Sequence, residues 1–220
     1  MRISKLAAPA SAYTNRLNNR QRILEFALQV FAEYGFSGAS TREIARRAGV
    51  HQPIIVYYFK NKEQLWRESV EFAFTDLLAT MLPVAKNETD PDKRLWYAAN
   101  AFVRGVARRP EWAALMVHEG LQSHDRNRWM IETWVIPLTR VVYKSLTGRK
   151  WPAKGSPLMV QAQSLIAVLG GSTTIFAQRV LALQMSGVDI SSEQFIQTHV
   201  ETYRLMLKGI MQPPLLKTHR

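Results

Sequence analysis

The chain has 220 residues, of which 47% are hydrophobic and 21% are charged, so it is long enough and apolar enough to bury a globular core. Its formal net charge of +12 favours nucleic acid or another anionic surface as a partner. Because the sequence contains no cysteine, it excludes disulfides, thiolate metal sites and cysteine nucleophiles.

The first segment, residues 1–18, contains prolines, alanines and basic residues but no sustained helical pattern. We predict a flexible basic arm there, which either contacts phosphate groups or has no role. Small residues at 6–12 look like a cleavage site, but no apolar run of adequate length precedes them. This argues against a signal peptide.

An amphipathic helix is predicted over residues 19–34, and Gly35 is expected to end it. Its apolar face consists of residues at helical spacing, namely Ile23, Ala27, Phe31 and Tyr34. Phe36 and Ala39 are expected to insert beneath the motif that follows. The result is a head of three helices.

That motif occupies residues 40–59. Ser40 and Glu43 have the spacing of a capping box, so a helix is predicted from Thr41 to the residue before Gly49. Pro53 is tolerated in the first turn of a second short helix. Two short helices joined by a turn of about three or four residues predict a helix-turn-helix. The alternative is an ordinary helical hairpin whose glycine is only a C-cap.

Charge favours the first interpretation, because residues 1–67 hold 11 Lys/Arg against 4 Asp/Glu. Basic side chains bracket the motif, as expected for a protein that binds the phosphate backbone. They are Arg16, Arg20, Arg22, Arg42, Arg46, Arg47, Lys60 and Lys62. The second helix is predicted to present its outward face through His51, Gln52, Ile54, Tyr57 and Tyr58.

The head contains three segments in this order: Phe31 to Gly35-Phe36, Thr41-x-x-Ile44-Ala45-x-x-Ala48-Gly49-Val50, and Tyr57-Tyr58-Phe59-Lys60-Asn61-Lys62-Glu63-x-Leu65. Together they resemble the N-terminal domain of the TetR family of transcriptional regulators over about residues 20–66. The resemblance implies an all-α homodimer, in which a three-helix head with the helix-turn-helix binds DNA. A larger α-helical domain would bind the effector and dimerise. The predicted domains are the arm at 1–18, the head at 19–66 and the body at 67–220.

The resemblance also implies roles for individual residues. The first helix of the motif would contact phosphate, the second would meet base edges or sugar, and side chains beyond it would again hold phosphate. The predicted DNA-binding residues are Arg20, Ser40, Thr41, Arg42, His51, Gln52, Pro53, Tyr57, Tyr58 and Lys62. A solvated side chain is the alternative for Lys62. Val56 departs from the family, which often has a tyrosine there, so fewer phosphate contacts are expected at that position.

The body is predicted to consist of helices, with a break at 86–91 and a loop at 148–157. Asn61 can cap a helix that runs from Lys62 to about residue 82. Asp90 or Asp92 can begin the next helix, which runs to Arg109. Further helices are expected at 111–120 and 126–146, and Ser123 or Asp125 is expected to cap the last of these. Pro137 should bend it. A helix at 158–185 and a final one after Ser191 or Ser192 complete the chain.

The segment 158–185 is nearly free of charge and apolar on more than one side, so it must be buried on all sides. Too few elements remain in one chain to cover it, and we predict a homodimer through the last two helices. Polar residues within 155–178 argue against a membrane span. A cytoplasmic location is expected.

Aromatic and sulfur-containing side chains are frequent in the body. They are either ordinary core or the lining of a pocket for a small apolar or aromatic effector. The pocket candidates are Trp96, Phe102, Met116, His118, Trp129, Trp134, Gln163 and Phe176.

We find no motif for catalysis, cofactor binding or metal binding. His118 and His124 are too far apart to share one helical turn, and the sequence lacks a glycine-rich phosphate loop. The two His–acid pairs that they form with Glu119 and Asp125 either orient a ligand or lie on the surface. An enzyme would require turnover that depends on His118 or Glu119.

The function predicted from the sequence is therefore a ligand-responsive repressor that binds a near-palindromic, double-stranded operator as a homodimer. The alternatives are a transcriptional activator, or a protein-interaction module on the same fold with vestigial DNA binding.

Overall fold

The computed structural model describes residues 10–81, 88–120, 124–156 and 158–211, with side chains from residue 19 onward. These residues form helices and connecting turns and no strand, which confirms the predicted all-α fold. They divide into two compact units, one ending at Phe72 and one beginning at Ala73. We refer to these units as the head and the body.

The first helix, α1, spans Ala10–Gly38 and carries the predicted apolar face. Ile23, Ala27 and Phe31 are fully buried. Gly35 interrupts the helix with φ 66° and ψ 177°, a conformation that glycine adopts at little steric cost.

Two features of α1 differ from the predictions. The helix begins at Ala10 and not at Asn19, so residues 10–18 of the predicted flexible arm are helical; residues 1–9 lie outside the described residues. Extending an existing helix adds one hydrogen bond per residue without a new nucleus, which favours this extension. Tyr34 does not join the apolar face, because its side chain is 47% exposed and lies beside the Arg47 guanidinium, 5.8 Å from the ring centroid.

Three further helices complete the head. Helix α2 spans Thr41–Ala48, α3 spans Gln52–Phe59, and α4 spans Lys62–Met81 and continues into the body. The Asn61 side chain accepts a hydrogen bond from the Gln64 amide at 2.8 Å, which confirms the predicted cap of α4. Phe36 packs between Phe31 and Trp66, and Ala39 is buried, as expected beneath the motif.

The body contains the remaining helices of the described residues. They are α5 (Pro91–Arg108), α6 (Glu111–Gly120), α7 (Asp125–Met130), a π-helix (Ile131–Val135), α8 (Ile136–Thr147), α9 (Leu158–Ala177), α10 (Arg179–Ser186) and α11 (Glu193–Met211). Asp90 caps α5 by accepting from the amides of Asp92 and Lys93. Helix α11 packs against α5 and α9, and α6 packs against α9.

The helix predicted at 126–146 differs at its start and at its centre. Its cap is His124, whose Nδ1 accepts from the Asn127 amide at 3.1 Å; Asp125 does not cap, and Ser123 lies outside the described residues. The predicted bend takes the form of a π-helix, in which the Ile136 amide donates to the Ile131 carbonyl five residues earlier. Pro137 has no amide hydrogen and crowds the preceding turn, so the wider turn relieves both constraints.

The predicted helix at 158–185 is two helices, since Gln178 (φ −104°, ψ 36°) separates α9 from α10. Helix α9 is long and apolar enough to cross a membrane by length and composition alone, with a mean hydropathy of 1.3. Core helices of soluble proteins meet the same criterion. Only 28% of its apolar stretch is buried within the chain, so much of this surface remains open.

Candidate nucleic-acid interface and ligand cavity

The turn between α2 and α3 has the geometry of a helix-turn-helix. Gly49 has φ 63° and ψ 37°, the left-handed conformation predicted for it. Its amide donates to the Arg46 carbonyl at 3.2 Å, and the Val50 amide donates to the Ala45 carbonyl at 3.0 Å. These bonds satisfy carbonyls at the end of α2 and turn the chain into α3.

The capping box at the start of α2 is half formed. The Ser40 hydroxyl accepts from the Glu43 amide at 3.1 Å, as predicted. The Glu43 carboxylate instead accepts hydrogen bonds from Arg46 at 2.7 and 2.8 Å and from Arg47 at 2.7 Å. The Arg46 and Arg47 guanidinium groups lower the pKa of Glu43 to about 2. Two of the predicted phosphate-facing cations are therefore bound to a carboxylate of the head itself.

Helix α3 has a buried side and an exposed side. Ile55 and Phe59 are buried, while Val56 and Tyr57 are 56% and 69% exposed. The first turn is exposed as well, through His51, Gln52 and Pro53. Tyr58 and Ile54 are half-buried, and the Tyr58 ring packs against that of Tyr57. Val56 was not among the residues predicted for the outward face.

A hydrogen bond joins the beginnings of the two helices of the motif. The Gln52 side-chain amide donates to the Thr41 hydroxyl at 3.2 Å. The bond brings together two residues from the predicted phosphate-contacting and base-contacting sets. Arg42 is exposed one residue beyond Thr41, and Lys60 is exposed at the end of α3.

Arg20 and Lys62 have partners within the head. Arg20 forms an ion pair with Glu68, and its guanidinium lies 5.5 Å from the centre of the Phe59 ring. The Lys62 ammonium lies 4.6 Å from the centre of the Phe36 ring and donates to the Ser37 carbonyl at 3.4 Å. Lys62 is therefore half-buried and packed, which neither of its two predicted roles included.

An apolar cavity of about 80 Å³ lies in the body among α5, α6, α8 and α9. Its lining consists of Phe74, Phe102, Trp112, Met116, Val135, Leu138, Thr139, Val142, Ile166, Leu169, Gly170 and Thr173. Of the predicted pocket residues, Phe102 and Met116 line this cavity. The other lining residues are typical of helix cores, so no sequence signal separates them from ordinary packing.

The remaining predicted pocket residues lie elsewhere. The Trp96 indole donates to the Glu201 carboxylate at 2.7 Å. Trp134 stacks on Phe74, and Phe176 packs against His199. His118 is exposed and Trp129 is half-buried, while Gln163 borders a separate open cleft.

Glu119, the acidic residue that follows His118 in the sequence, has a buried side chain. Glu119 is only 2% exposed, with Arg126 Nε and His124 Nε2 at 3.7 and 3.6 Å from its carboxylate. Asn127 donates to its backbone carbonyl. This polar cluster joins the end of α6 to the start of α7. Among the described residues, no group of three or more His, Asp or Glu side chains is placed to hold a metal ion.

The motif, its glycine turn and the exposed face of α3 define a helix-turn-helix protein. The family model described as "Bacterial regulatory proteins, tetR family" matches residues 23–68. Residues 23–68 therefore form a helix-turn-helix domain of the TetR family of transcriptional regulators.

Curated relatives match part of the chain. The chain is 36% identical over 72 residues to the probable HTH-type transcriptional regulator YttP of Bacillus subtilis, covering 33% of this chain and 35% of that protein. It is 31% identical over 106 residues to the tetracycline repressor protein class A from transposon 1721 of Escherichia coli, covering 48% and 44%.

Structural similarity covers more of the chain than these sequence alignments do. The fatty acid degradation regulator FadR from Bacillus halodurans superposes with a TM-score of 0.66 at 19% identity, covering 86% of this chain and 97% of that one. By sequence, however, the chain spans only about a third to a half of the length of the curated relatives it matches.

Proposed function

We propose that this protein is a sequence-specific DNA-binding regulator, a ligand-responsive repressor that binds a near-palindromic operator as a homodimer. The observation that carries the proposal is the exposed face of α3 behind the glycine turn of a basic head. In a helix-turn-helix the second helix enters the major groove, where its first residues reach the base edges.

Gln52 is the side chain best suited to read a base. A glutamine amide can both donate to and accept from adenine in the major groove. In the free protein its amide nitrogen donates to Thr41, so DNA binding exchanges this internal bond for contacts with a base. The Thr41 hydroxyl accepts that bond and can donate its own hydrogen to a phosphate, and Arg42 and Lys60 supply exposed positive charge nearby.

Homodimerisation is proposed through the open surfaces of α9 and α11. Along α9 one stripe is exposed or half-buried and consists mainly of small side chains: Val160, Ser164, Ala167, Gly171 and Thr174. Small side chains allow the backbones of two helices to approach closely. On α11, Leu205 and Met206 are 59% and 47% exposed. A second copy that covers these surfaces would remove the apolar area from water, which drives association.

Helix α10 belongs to the same proposed interface. None of its residues is buried, although Val180, Leu181, Leu183 and Met185 are large and apolar. Such a cluster is unfavourable on a protein surface unless a partner covers it.

The dimer is tested by sedimentation velocity with two matched variants. Leu205→Glu should convert the dimer to a monomer, because it places a charge in the apolar interface. Val141→Glu is the control, since Val141 is also an exposed apolar residue but lies on α8, outside the proposed interface. Wild-type protein that sediments as a monomer contradicts the proposal.

The apolar cavity is the proposed site of the effector. At about 80 Å³ it is smaller than the ~300–1,000 Å³ of ligand pockets, so a ligand must enlarge it. The energy of binding then favours the enlarged arrangement over the unliganded one, and a ligand shifts a population only by such a difference in affinity. If the enlarged arrangement holds the two heads at a different spacing, DNA is released without any contact between effector and DNA.

DNA recognition is tested by selecting bound sequences from random duplexes at physiological salt. An inverted repeat is expected, because a two-fold dimer presents two identical heads. Recovery of a single half-site would contradict binding as a homodimer. Recovery of no motif would contradict sequence-specific binding.

A further inference from the structure

A second cavity in the body differs in chemistry from the apolar one. It is an open cleft of about 950 Å³ beside α8 and α9. Its lining is Ile136, Arg140, Lys150, Trp151, Pro152, Lys154, Gly155, Met159, Gln163 and Ile166. Among the residues that the structure describes, the lining therefore combines three cationic side chains with apolar and aromatic ones and contains no acid.

This cleft, which we call the basic cleft, presents three exposed cations. Among the described residues, no Asp or Glu pairs with Arg140, Lys150 or Lys154. Other cations of the body do have acidic partners; Arg104, for example, pairs with Glu193, and Arg204 with Glu201. Three like charges around one cleft repel each other, and a bound anion would relieve that repulsion.

The apolar wall of the cleft is held in place by its own contacts. The Trp151 ring packs edge-on against Tyr143, with ring centroids 5.5 Å apart, and the Tyr143 hydroxyl donates to the Gln161 side chain at 3.3 Å. Trp151 is half-buried. An aromatic wall beside cations suits an organic anion with an apolar part better than it suits a hydrated inorganic ion.

The cleft and the apolar cavity adjoin at Ile166, which lines both. Along α9, Met159, Gln163 and Ile166 face the cleft, and Ile166, Gly170 and Thr173 face the cavity. These positions follow one another at steps of four, three, four and three residues, which places them on a single stripe of the helix. At 1.5 Å per residue, the stripe is ~21 Å long.

The stripe is separate from the proposed dimer surface. Each residue of the dimer stripe on α9 lies one position later than a residue of the ligand stripe, as Val160 follows Met159. One position corresponds to a rotation of ~100° around the helix. A second copy on the dimer face therefore leaves the ligand stripe accessible.

From this juxtaposition we propose that the basic cleft and the apolar cavity form one binding site for an amphipathic anion. Arg140, Lys150 and Lys154 hold its carboxylate or phosphate head through charge-assisted hydrogen bonds. Its apolar chain lies along Trp151 and Met159 and passes Ile166 into the cavity. The assignment rests on the proposed function only in that the same cavity receives the effector, and it specifies the chemical class of that effector.

The test measures ligand binding to the full-length protein by isothermal titration calorimetry, without DNA. The probes are decanoate, decyl phosphate, decanol and inorganic phosphate, all kept below micelle-forming concentrations. We expect at least one of the two amphipathic anions to bind tenfold or more tightly than decanol, because decanol leaves the three cations unpaired. Comparing decanoate with decyl phosphate identifies the head group.

Variants locate the site. Arg140→Gln or Lys154→Gln should weaken anion binding about tenfold and leave decanol binding unchanged. Arg149→Gln is the matched control, because Arg149 is an exposed cation of the same segment that does not line the cleft. Ile166→Trp should weaken the binding of decanoate, decyl phosphate and decanol, since it fills the passage that their apolar chains would take to the cavity.

Three results would overturn the proposal: decanol binding as tightly as both anions, no binding of either anion, or equal losses in Arg149→Gln and Arg140→Gln. A loss of DNA affinity in the cleft variants without ligand would instead assign the cleft to nucleic acid and also overturn it. Because no DNA is present in the calorimetry, failure of the proposed regulator function would not affect these results.

Discussion

Replacing Gly49 with alanine tests the turn that positions α3. At φ 63° and ψ 37° the residue is left-handed, and a Cβ built there meets no atom within 4 Å. The cost is therefore backbone strain alone, ~1–2 kcal/mol for an L-residue. Alanine also restricts the unfolded chain, which recovers ~0.4–1 kcal/mol. The expected net loss of stability is about 1 kcal/mol, which corresponds to a fivefold rise in the fraction of molecules in which α2 and α3 are locally unfolded.

Hydrogen exchange of the full-length protein, followed by mass spectrometry, measures this loss locally. Protected amides of α2 and α3 should exchange about fivefold faster in Gly49→Ala, because they open in proportion to the free-energy change. Gly187→Ala is the matched control, since Gly187 (φ 67°, ψ 4°) is also left-handed with open space around its Cβ position. Its effect should appear in the body and leave α2 and α3 unchanged.

Either of two results would refute this reasoning. Unchanged exchange in Gly49→Ala would mean that the turn does not require a left-handed residue. A loss above about 3 kcal/mol would exceed the backbone cost and require a steric clash, which the open space around the Cβ position excludes.

The remaining predictions concern single side chains of the head. Ser40→Ala should cost about 1 kcal/mol in the unfolding free energy measured with urea, and Ser40→Asp should not. The Glu43 carboxyl should titrate by NMR at about 2. The stabilising effect of the Glu43 carboxylate is present above the ordinary pKa of 4.5 and should be lost as the pH falls towards 2. In Arg46→Gln the titration midpoint of Glu43 should rise. A wild-type midpoint near 4.5 would exclude the ion pairs. Lys62→Ala should weaken binding to all DNA sequences and reduce the salt slope by about one, whereas Gln52→Ala should alter base preference. An unchanged slope would mean that Lys62 does not contact phosphate.

Helix boundaries were predictable from the sequence where the signal is local. The caps at Ser40, Asn61, Asp90 and Ser192 and the turn at Gly49 each depend on a few neighbouring residues. Capping rules describe such short-range hydrogen bonds directly, so these elements follow from the residue types.

Features that depend on tertiary contacts were not predictable in the same way. The cap at His124 belongs to a cluster with Glu119 and Arg126, which meets only after folding. The break at Gln178 has no glycine or proline to mark it. A periodic pattern identifies the side of a helix that faces inward, but it does not distinguish a packed interior from a cavity.

The charge of the head illustrates the same limit. Composition shows the excess of basic residues, but not that Arg46 and Arg47 share Glu43 or that Arg20 pairs with Glu68. The exposed, unshared positive charge is consequently smaller than the sequence suggests. Arg42 and Lys60 are exposed, and we propose that they contact phosphate.

The central claim is that the protein binds one DNA duplex as a homodimer, with both heads in contact with the DNA. It is tested most directly by measuring affinity for a series of inverted repeats in which the separation of the selected half-sites changes one base pair at a time. We predict a sharp maximum at a separation of about one helical turn, ~34 Å, or a multiple of it, because only that spacing presents both grooves to the same side. Affinity that does not change with separation would show that each head binds alone and would contradict the account.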